Sequence, residues 1–265
     1  MLLSRCYYIK YTTLYRVIFM NHIKLENIYK NFGHIKALNG ASITAYKGQI
    51  TAIVGDNGSG KSTLMNILSG MLKPDSGSIT IFGNHYSSLS SQKAFAEGIR
   101  MVYQDLALDN EKNSIENIFL GHELMKGPFL DRKLMSQKAE KLISELNINI
   151  PDPTVPVRNL SGGQRQALSI ARALNQNGRI LILDEPTAAM GIKETQSTLE
   201  LILSLKHETT PVTQLLISHN LFQVFDVADR ICVFRAGRCI AQIDAKQSSP
   251  DHIHKLLIGQ EVCYE

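Results

Sequence analysis

The stretch GDNGSGKST, Gly55 to Thr63, lies between an apolar run, ITAIV, and a helix-like run, LMNIL. It brings three glycines (Gly55, Gly58, Gly60), one lysine (Lys61) and three hydroxyls (Ser59, Ser62, Thr63) to one strand-to-helix turn, with Asp56 and Asn57 among them. Glycine loses more backbone entropy than other residues on folding, so such a turn needs compensation, and a bound polyphosphate supplies it. Gly55, Gly60, Lys61 and Ser62 fit the P-loop pattern G-x-x-x-x-G-K-[ST]. In that pattern successive backbone N–H groups turn inward, and the following helix aims its positive end at the same spot. The expectation is that residues 55–63 cradle the phosphates of a nucleotide, Lys61 reaches the outer phosphates and Ser62 holds Mg²⁺.

A second stretch, ILILDEPT, carries Asp184 and Glu185 at the end of four apolar residues, Ile180 to Leu183. Such a run suits a parallel strand buried on both faces. Asp184 then suits the Mg²⁺ partner of Ser62, and Glu185, one residue on, suits a general base for an attacking water. In the third stretch, NLSGGQRQ, Ser161, Gly162, Gly163 and Gln164 open a helix whose packed face is Ala167, Ile170, Ala171 and Leu174. Free N–H groups and a hydroxyl at a helix start make a second anion site, with no evident ligand of its own. Taken alone, the same residues also describe an ordinary cap.

The elements that must position these groups are legible in outline. Residues 22–46 read as two strands turned at Gly33-His34, Lys47-Gly48 makes a further turn, and SITIFG is a short strand after the Pro- and Gly-bearing loop MLKPDSG. These strands suggest a mixed sheet with an antiparallel edge. Asn113 followed by Glu116 marks a helix start, and helical patterning continues to about Asn147, with Ala139, Leu142, Ile143 and Leu146 on one face. Three prolines in IPDPTVPV end it. An all-helical insert over about 106–158 is therefore expected within an α/β core. QLLIS reads as a buried strand, RICVFRAGRCIAQID as a closing hairpin turned at Ala236-Gly237, and PDHIHKLLIG as a helix.

The 265 residues are 44% hydrophobic and 20% charged, the composition of a chain that buries a core. Of the net charge of +4, Arg5, Lys10 and Arg16 supply three within an acid-free opening segment. The nearly neutral remainder argues against nucleic acid as a partner. No apolar window is long enough to span a membrane. Residues 1–19 read as a disordered extension, or a mis-assigned start, ahead of a domain start at Met20. Cys6, Cys232, Cys239 and Cys263 lack metal-site spacing, and Cys232 and Cys239 sit in apolar runs, as reduced, structural thiols do. His252 and His254, two apart on a helix beside Asp251, do not face one another.

The order P-loop, LSGGQ, DEPT resembles the ABC transporter ATPase family over about Asn21 to Gly259. The resemblance implies a P-loop NTPase core with an antiparallel β subdomain and an inserted α-helical subdomain, using ATP and Mg²⁺. It implies two ATPase subunits, as a homodimer, paired head to tail so that each ATP lies between one P-loop and the partner's signature helix. It further implies that Gln104 is the Q-loop glutamine that senses Mg²⁺ and the membrane partner, that His219 contacts the γ-phosphate, and that Phe32 stacks on adenine. An aromatic at Phe32 also suits a core position. The family's loop after DEPT ends in Asp, whereas this chain has AAMG, with Gly191 at that place. That loop, with YQDLALD and SHNLFQVFDVADRI, is similar to the branch energising import of simple sugars, chiefly its fructose/ribose-type members. The implied partners are transmembrane permease subunits and, indirectly, a periplasmic or extracellular sugar-binding protein, with the ATPase peripheral on the cytoplasmic face of the membrane. The alternatives are a soluble non-transport ABC ATPase and a nucleotide-gated interaction module.

Overall fold

The computed structural model describes residues 21–206 and 211–260. The expected N-terminal extension, with Cys6, and also Cys263, lie outside the described residues. Among those described, the alternating hydrophobic pattern of the first strands produces β1 (Asn21–Phe32) and β2 (Ile35–Tyr46), antiparallel across the Gly33-His34 turn. β4 (Ser76–Ile81) pairs antiparallel with β1, and β5 (Asn84–Tyr86) with β4, giving a four-stranded sheet ordered β2-β1-β4-β5. The strand pattern alone suggests a mixed sheet with an antiparallel edge; these strands instead form a sheet of their own, the antiparallel β subdomain that the resemblance implies.

The second sheet holds six strands in the order β12-β11-β3-β10-β9-β6. They are β3 (Ile50–Gly55), β6 (Ile99–Val102), β9 (Ile180–Asp184), β10 (Thr213–Ile217), β11 (Arg230–Arg235) and β12 (Arg238–Asp244). All neighbours are parallel except β11 and β12, the hairpin turned at Ala236-Gly237. β3 and β10 are buried throughout, and β9 up to Asp184, as their continuous apolar runs require. The two sheets are tied by side chains: His22 Nδ1 lies 2.7 Å from Thr213 Oγ1, and Gln242 Oε1 accepts from the Thr44 N–H at 3.2 Å. Cys232, on β11, is buried and unbridged.

Eight α-helices lie among the described residues, besides two short 3₁₀ turns: α1 (Lys61–Leu68), α2 (Ser91–Ala96), α3 (Ser114–Phe119), α4 (Arg132–Glu145), α5 (Gly162–Asn175), α6 (Ile192–Ser204), α7 (Leu221–Val227) and α8 (Pro250–Ile258). α3 opens on the expected capping box. The Glu116 N–H donates to Asn113 Oδ1 at 2.9 Å, and the Asn113 N–H to Glu116 Oε2 at 3.2 Å.

The insert is not helical throughout. α3 stops before Leu120, and β7 (Met125–Lys126) and β8 (Phe129–Leu130) form a small hairpin before α4 begins. Gly121 and Gly127 take left-handed φ values of 76° and 61°, which end one helix and turn the hairpin. α4 then buries Met135, Ala139 and Ile143. α5 buries Ile170 and Ala171 as its periodicity predicts, but also Leu168 and Ala173, while Ala167 and Leu174 are only partly covered.

Candidate nucleotide site

Three adjacent strands of the core sheet, β3, β10 and β9, end side by side, with Ile217 in register with both Ile53 and Asp184. In open α/β sheets ligands bind at the carboxyl ends of strands. Here those ends deliver Gly55 to Thr63, His219 and the Asp184-Glu185 pair to one edge of the molecule.

The loop Gly55–Gly60 is held by its backbone. The Ser59 N–H donates to the Asp56 carbonyl at 3.1 Å, and the Gly237 N–H to the Ser59 carbonyl at 2.9 Å. Gly60, the residue preceding α1, has φ 105°, and a Cβ there would sit 2.6 Å from the Ala37 carbonyl oxygen. Only glycine fits. Gly58, at φ 77°, faces open space. Lys61 is buried, and its Nζ donates to the Gly55 and Asp56 carbonyls at 2.7 and 2.9 Å. Burial pushes its pKa down, against the pull of Glu185, Asp56 and Asp184. The Ser59 hydroxyl is buried with no partner, and no side chain caps α1. An orphaned hydroxyl, an uncapped helix start and an ammonium satisfied only by carbonyls fit a polyphosphate.

Asp184 is half-buried. Burial, then the neighbouring Glu185, pushes its pKa up, while Lys61 opposes. Its charge also acts on Tyr103, the residue before Gln104. Ser62, Gln104 and Asp184 together offer a hydroxyl, an amide oxygen and a carboxylate, a hard-oxygen set suited to Mg²⁺. Glu185 adopts a left-handed φ of 49°, pinned by its N–H on the Ile217 carbonyl at 3.0 Å. Its Oε2 lies 2.9 Å from His219 Nδ1; the Glu185 side chain is 19% exposed and that of His219 73%. Glu185 and the exposed Gln104 also line one cleft of about 300 Å³ with Gly162, Gln166 and Met190. Phe32 is 49% exposed, so it is no core residue, and Lys30 Nζ lies 5.7 Å from its ring centroid.

Ser161 caps α5 as expected. Its Oγ accepts from the Gln164 N–H at 3.4 Å, and its N–H donates to Gln164 Oε1 at 2.9 Å. Glu194 of α6 packs against this helix start: a Cβ added at Gly163 would lie 3.1 Å from Glu194 Cβ, and the Gly191 N–H donates to Glu194 Oε2 at 3.4 Å. Ser161, then Gly191, hold the Glu194 carboxyl below the usual carboxylate range. Ser161, Gly163, Gln164 and Glu194 line a groove of about 420 Å³, between α5, α6 and the segment after α4, that contains no P-loop residue.

Two contributors escaped the sequence reading. Glu194 follows Gly191 by three residues, the spacing of a first-turn cap, which was its available signal. Arg172 carried none: its guanidinium donates to the Leu106 and Ala107 carbonyls, each at 2.8 Å, tying α5 to the loop after Gln104.

Residues 38–188 match the family described as ABC transporter, more than half of the chain. The chain belongs to the ABC transporter family. Within it, the chain is 40% identical over 235 residues to a xylose/arabinose import ATP-binding protein of Sulfolobus acidocaldarius, covering 89% of this chain and 93% of that one. It is 40% identical over 229 residues to a fructose import ATP-binding protein of Rhizobium meliloti, covering 83% and 87%. A nucleotide-free ATP-binding cassette from an ABC transporter superposes with a TM-score of 0.78 at 29% identity, covering 88% of this chain and 98% of that one.

Proposed function

We propose that this chain is the ATP-hydrolysing subunit of an importer for a monosaccharide, peripheral on the cytoplasmic face of the membrane and bound there to transmembrane permease subunits. The observation that carries the catalytic part is the Glu185–His219 pair at the strand ends beside Lys61. Glu185 accepts the proton of the attacking water, and His219 holds the carboxylate and presents its ring to the γ-phosphate. Lys61 and the loop N–H groups hold the outer phosphates, while Phe32 offers an exposed face to adenine. Bound Mg²⁺, held by Ser62, Asp184 and Gln104, would neutralise charge on the phosphates.

The signature residues Ser161, Gly162, Gly163 and Gln164 serve ATP held by a second copy. Support comes from the groove around Ser161, which shares no residue with its own P-loop. Ile192, 89% exposed, and Phe222, 76% exposed, flank the Glu185–Gly191 loop and His219. Large apolar side chains so exposed suit burial against a partner. A two-fold pairing makes each such surface self-complementary. The hairpin of the insert exposes Met125, Phe129 and Leu130 as well, a surface suited to a membrane subunit. The relatives' import of xylose, arabinose and fructose supports a simple sugar as cargo, with a sugar-binding protein delivering it to the permease. A module that binds nucleotide without hydrolysing it has no use for the Glu185–His219 pair.

The test is ATP hydrolysis by the purified subunit alone and reconstituted with its permease and sugar-binding protein in vesicles. Hydrolysis should rise when sugar is supplied outside, with sugar accumulating inside. ATPase activity indifferent to permease would remove the transport role.

A further inference from the structure

β6 reads IRMV, three apolar residues and one arginine, and that arginine is only 7% exposed. The Arg100 guanidinium donates to the Phe95 and Ile99 carbonyls, each at 2.8 Å, and to the Gln176 carbonyl. Its Nε–H is buried with no partner, and among the described residues no carboxylate meets it. Burial pushes its pKa down to about 10, and no neighbouring acid opposes the shift. Buried charges are ordinarily paired, so this one lacks its anion. Arg100 lines a cavity of about 560 Å³ where β6, α2 and the end of α5 meet the insert. His122, Lys138 of α4 and Arg179 ahead of β9 line it too, and no Asp or Glu does. Arg100 Cζ lies 3.3 Å from the Phe95 ring centroid, and the His122 ring stacks on Phe95 at 5.1 Å, so one aromatic side chain fixes both. Arg179 donates to the Glu97 carbonyl at 3.2 Å and packs over Phe82, with its charge unpaired among the described residues.

We propose that this cavity binds a small phosphate monoester carrying hydroxyl groups, at a site separate from the nucleotide's. Arg100, Arg179 and Lys138 bring three positive charges to one cavity, which a doubly charged phosphate balances better than a single carboxylate. Arg179 and Lys138, at the mouth, meet the phosphate oxygens by charge-assisted hydrogen bonds. Arg100, already held by three carbonyls, adds its charge from the floor. The side-chain amides of Asn175 and Asn177, on the same wall, supply the donors and acceptors that hydroxyls need. The volume falls within the range of small-molecule sites. Arg179 precedes β9 and Asp184 ends it, so the cavity and the nucleotide site lie at opposite ends of that strand. A ligand gripped by Arg179 of the core and Lys138 of the insert fastens the two parts together beside β6, the strand that leads to Gln104. The site thereby links a soluble phosphate ester to the segment that enters the nucleotide site. Neither permease nor cargo enters this inference, which stands apart from the import reading.

The test uses the full chain with its P-loop filled by excess ADP and Mg²⁺, so that a phosphate ester can bind only elsewhere. Calorimetric titration with glucose-6-phosphate, ribose-5-phosphate and glycerol-3-phosphate should give saturable binding of at least one. Inorganic phosphate and the unphosphorylated sugars should bind at least about tenfold more weakly. Lys138→Glu, on an exposed face of α4, should weaken the ester at least about tenfold with the melting temperature unchanged. Arg100→Gln should weaken it as well, and Arg179→Ala covers the case in which that buried substitution misfolds. On binding, hydrogen exchange should slow in the peptides that hold Arg100 and Lys138. Absence of saturable binding by all three esters overturns the proposal. Binding unmoved by both Lys138→Glu and Arg179→Ala overturns it too, because the ligand then lies elsewhere. Equal affinity for inorganic phosphate overturns the assignment of a hydroxyl-bearing ester.

Discussion

Lys61 donates to two backbone carbonyls and makes no ion pair among the described residues, although three acids act on it. Its charge is therefore held ready for a ligand rather than spent in the fold. Lys61→Ala should abolish ATP binding measured by calorimetry while leaving the melting temperature nearly unchanged, because a buried ammonium costs as much in desolvation as its carbonyl contacts return. Glu185 has the opposite character. Removing its carboxylate by Glu185→Gln should slow turnover by about two to four decades and leave ATP affinity intact, the loss expected of a general base. Single-turnover hydrolysis with radiolabelled ATP separates the two effects, and wild-type rates in the variant would remove Glu185 from the role.

The elements depend on a few positions where the backbone has no alternative. Gly60 is one. Gly60→Ala places a methyl against the Ala37 carbonyl at 2.6 Å with φ at 105°, so the loop must open or β2 must shift. Nucleotide binding should fall steeply, and hydrogen exchange should rise at both Gly60 and Ala37. His22 is another, on the strand that joins the two sheets. Burial, then Lys47 and Arg179, lowers its pKa from 6.5 to about 4. Between those values the unfolded chain binds the proton and the folded chain does not, so stability falls as pH drops from 6.5 towards 4. The ring is half exposed, and after solvent screening the loss is roughly 1–2 kcal/mol. Urea denaturation across that range should show it, and His22→Gln, which keeps a partner for Thr213, should flatten the slope. The elements also mark what sequence can and cannot reveal. The P-loop, the Asp184 strand and the Ser161 helix were legible because each is a local pattern with a local cause. The β7–β8 hairpin was legible in principle, since Gly127-Pro128 forbids a continuous helix, but its two-residue strands are too short to show alternation. The separate four-stranded sheet was legible through the resemblance, which implies an antiparallel β subdomain, and not through periodicity, which does not encode the pairing of β1 with β4 across some fifty residues.

At the scale of the whole molecule, the proposed pairing makes each site a composite of two chains, and the groove around Ser161 contains no P-loop residue. A Ser161→Arg chain and a Lys61→Ala chain, each inactive alone, should regain activity when mixed. One site of the mixed dimer unites the intact halves, so recovery should approach half of wild type per mixed dimer. Silence across all mixing ratios, with dimers verified by cross-linking, would count against a shared site that fires singly. The left-handed backbone of Glu185 has a consequence for the molecule's heat tolerance. A glutamate at φ 49° costs about 1 kcal/mol or more, and its charge raises the pKa of Asp184 beside it. Asparagine accepts that backbone more readily and carries no charge. Glu185→Asn should melt about 2–4 °C higher than wild type and hydrolyse almost nothing. A library of this protein sorted for survival on heating, with no assay of ATP, would thus enrich inert variants at position 185, and the residue that does the chemistry would announce itself as the one the fold would rather lose.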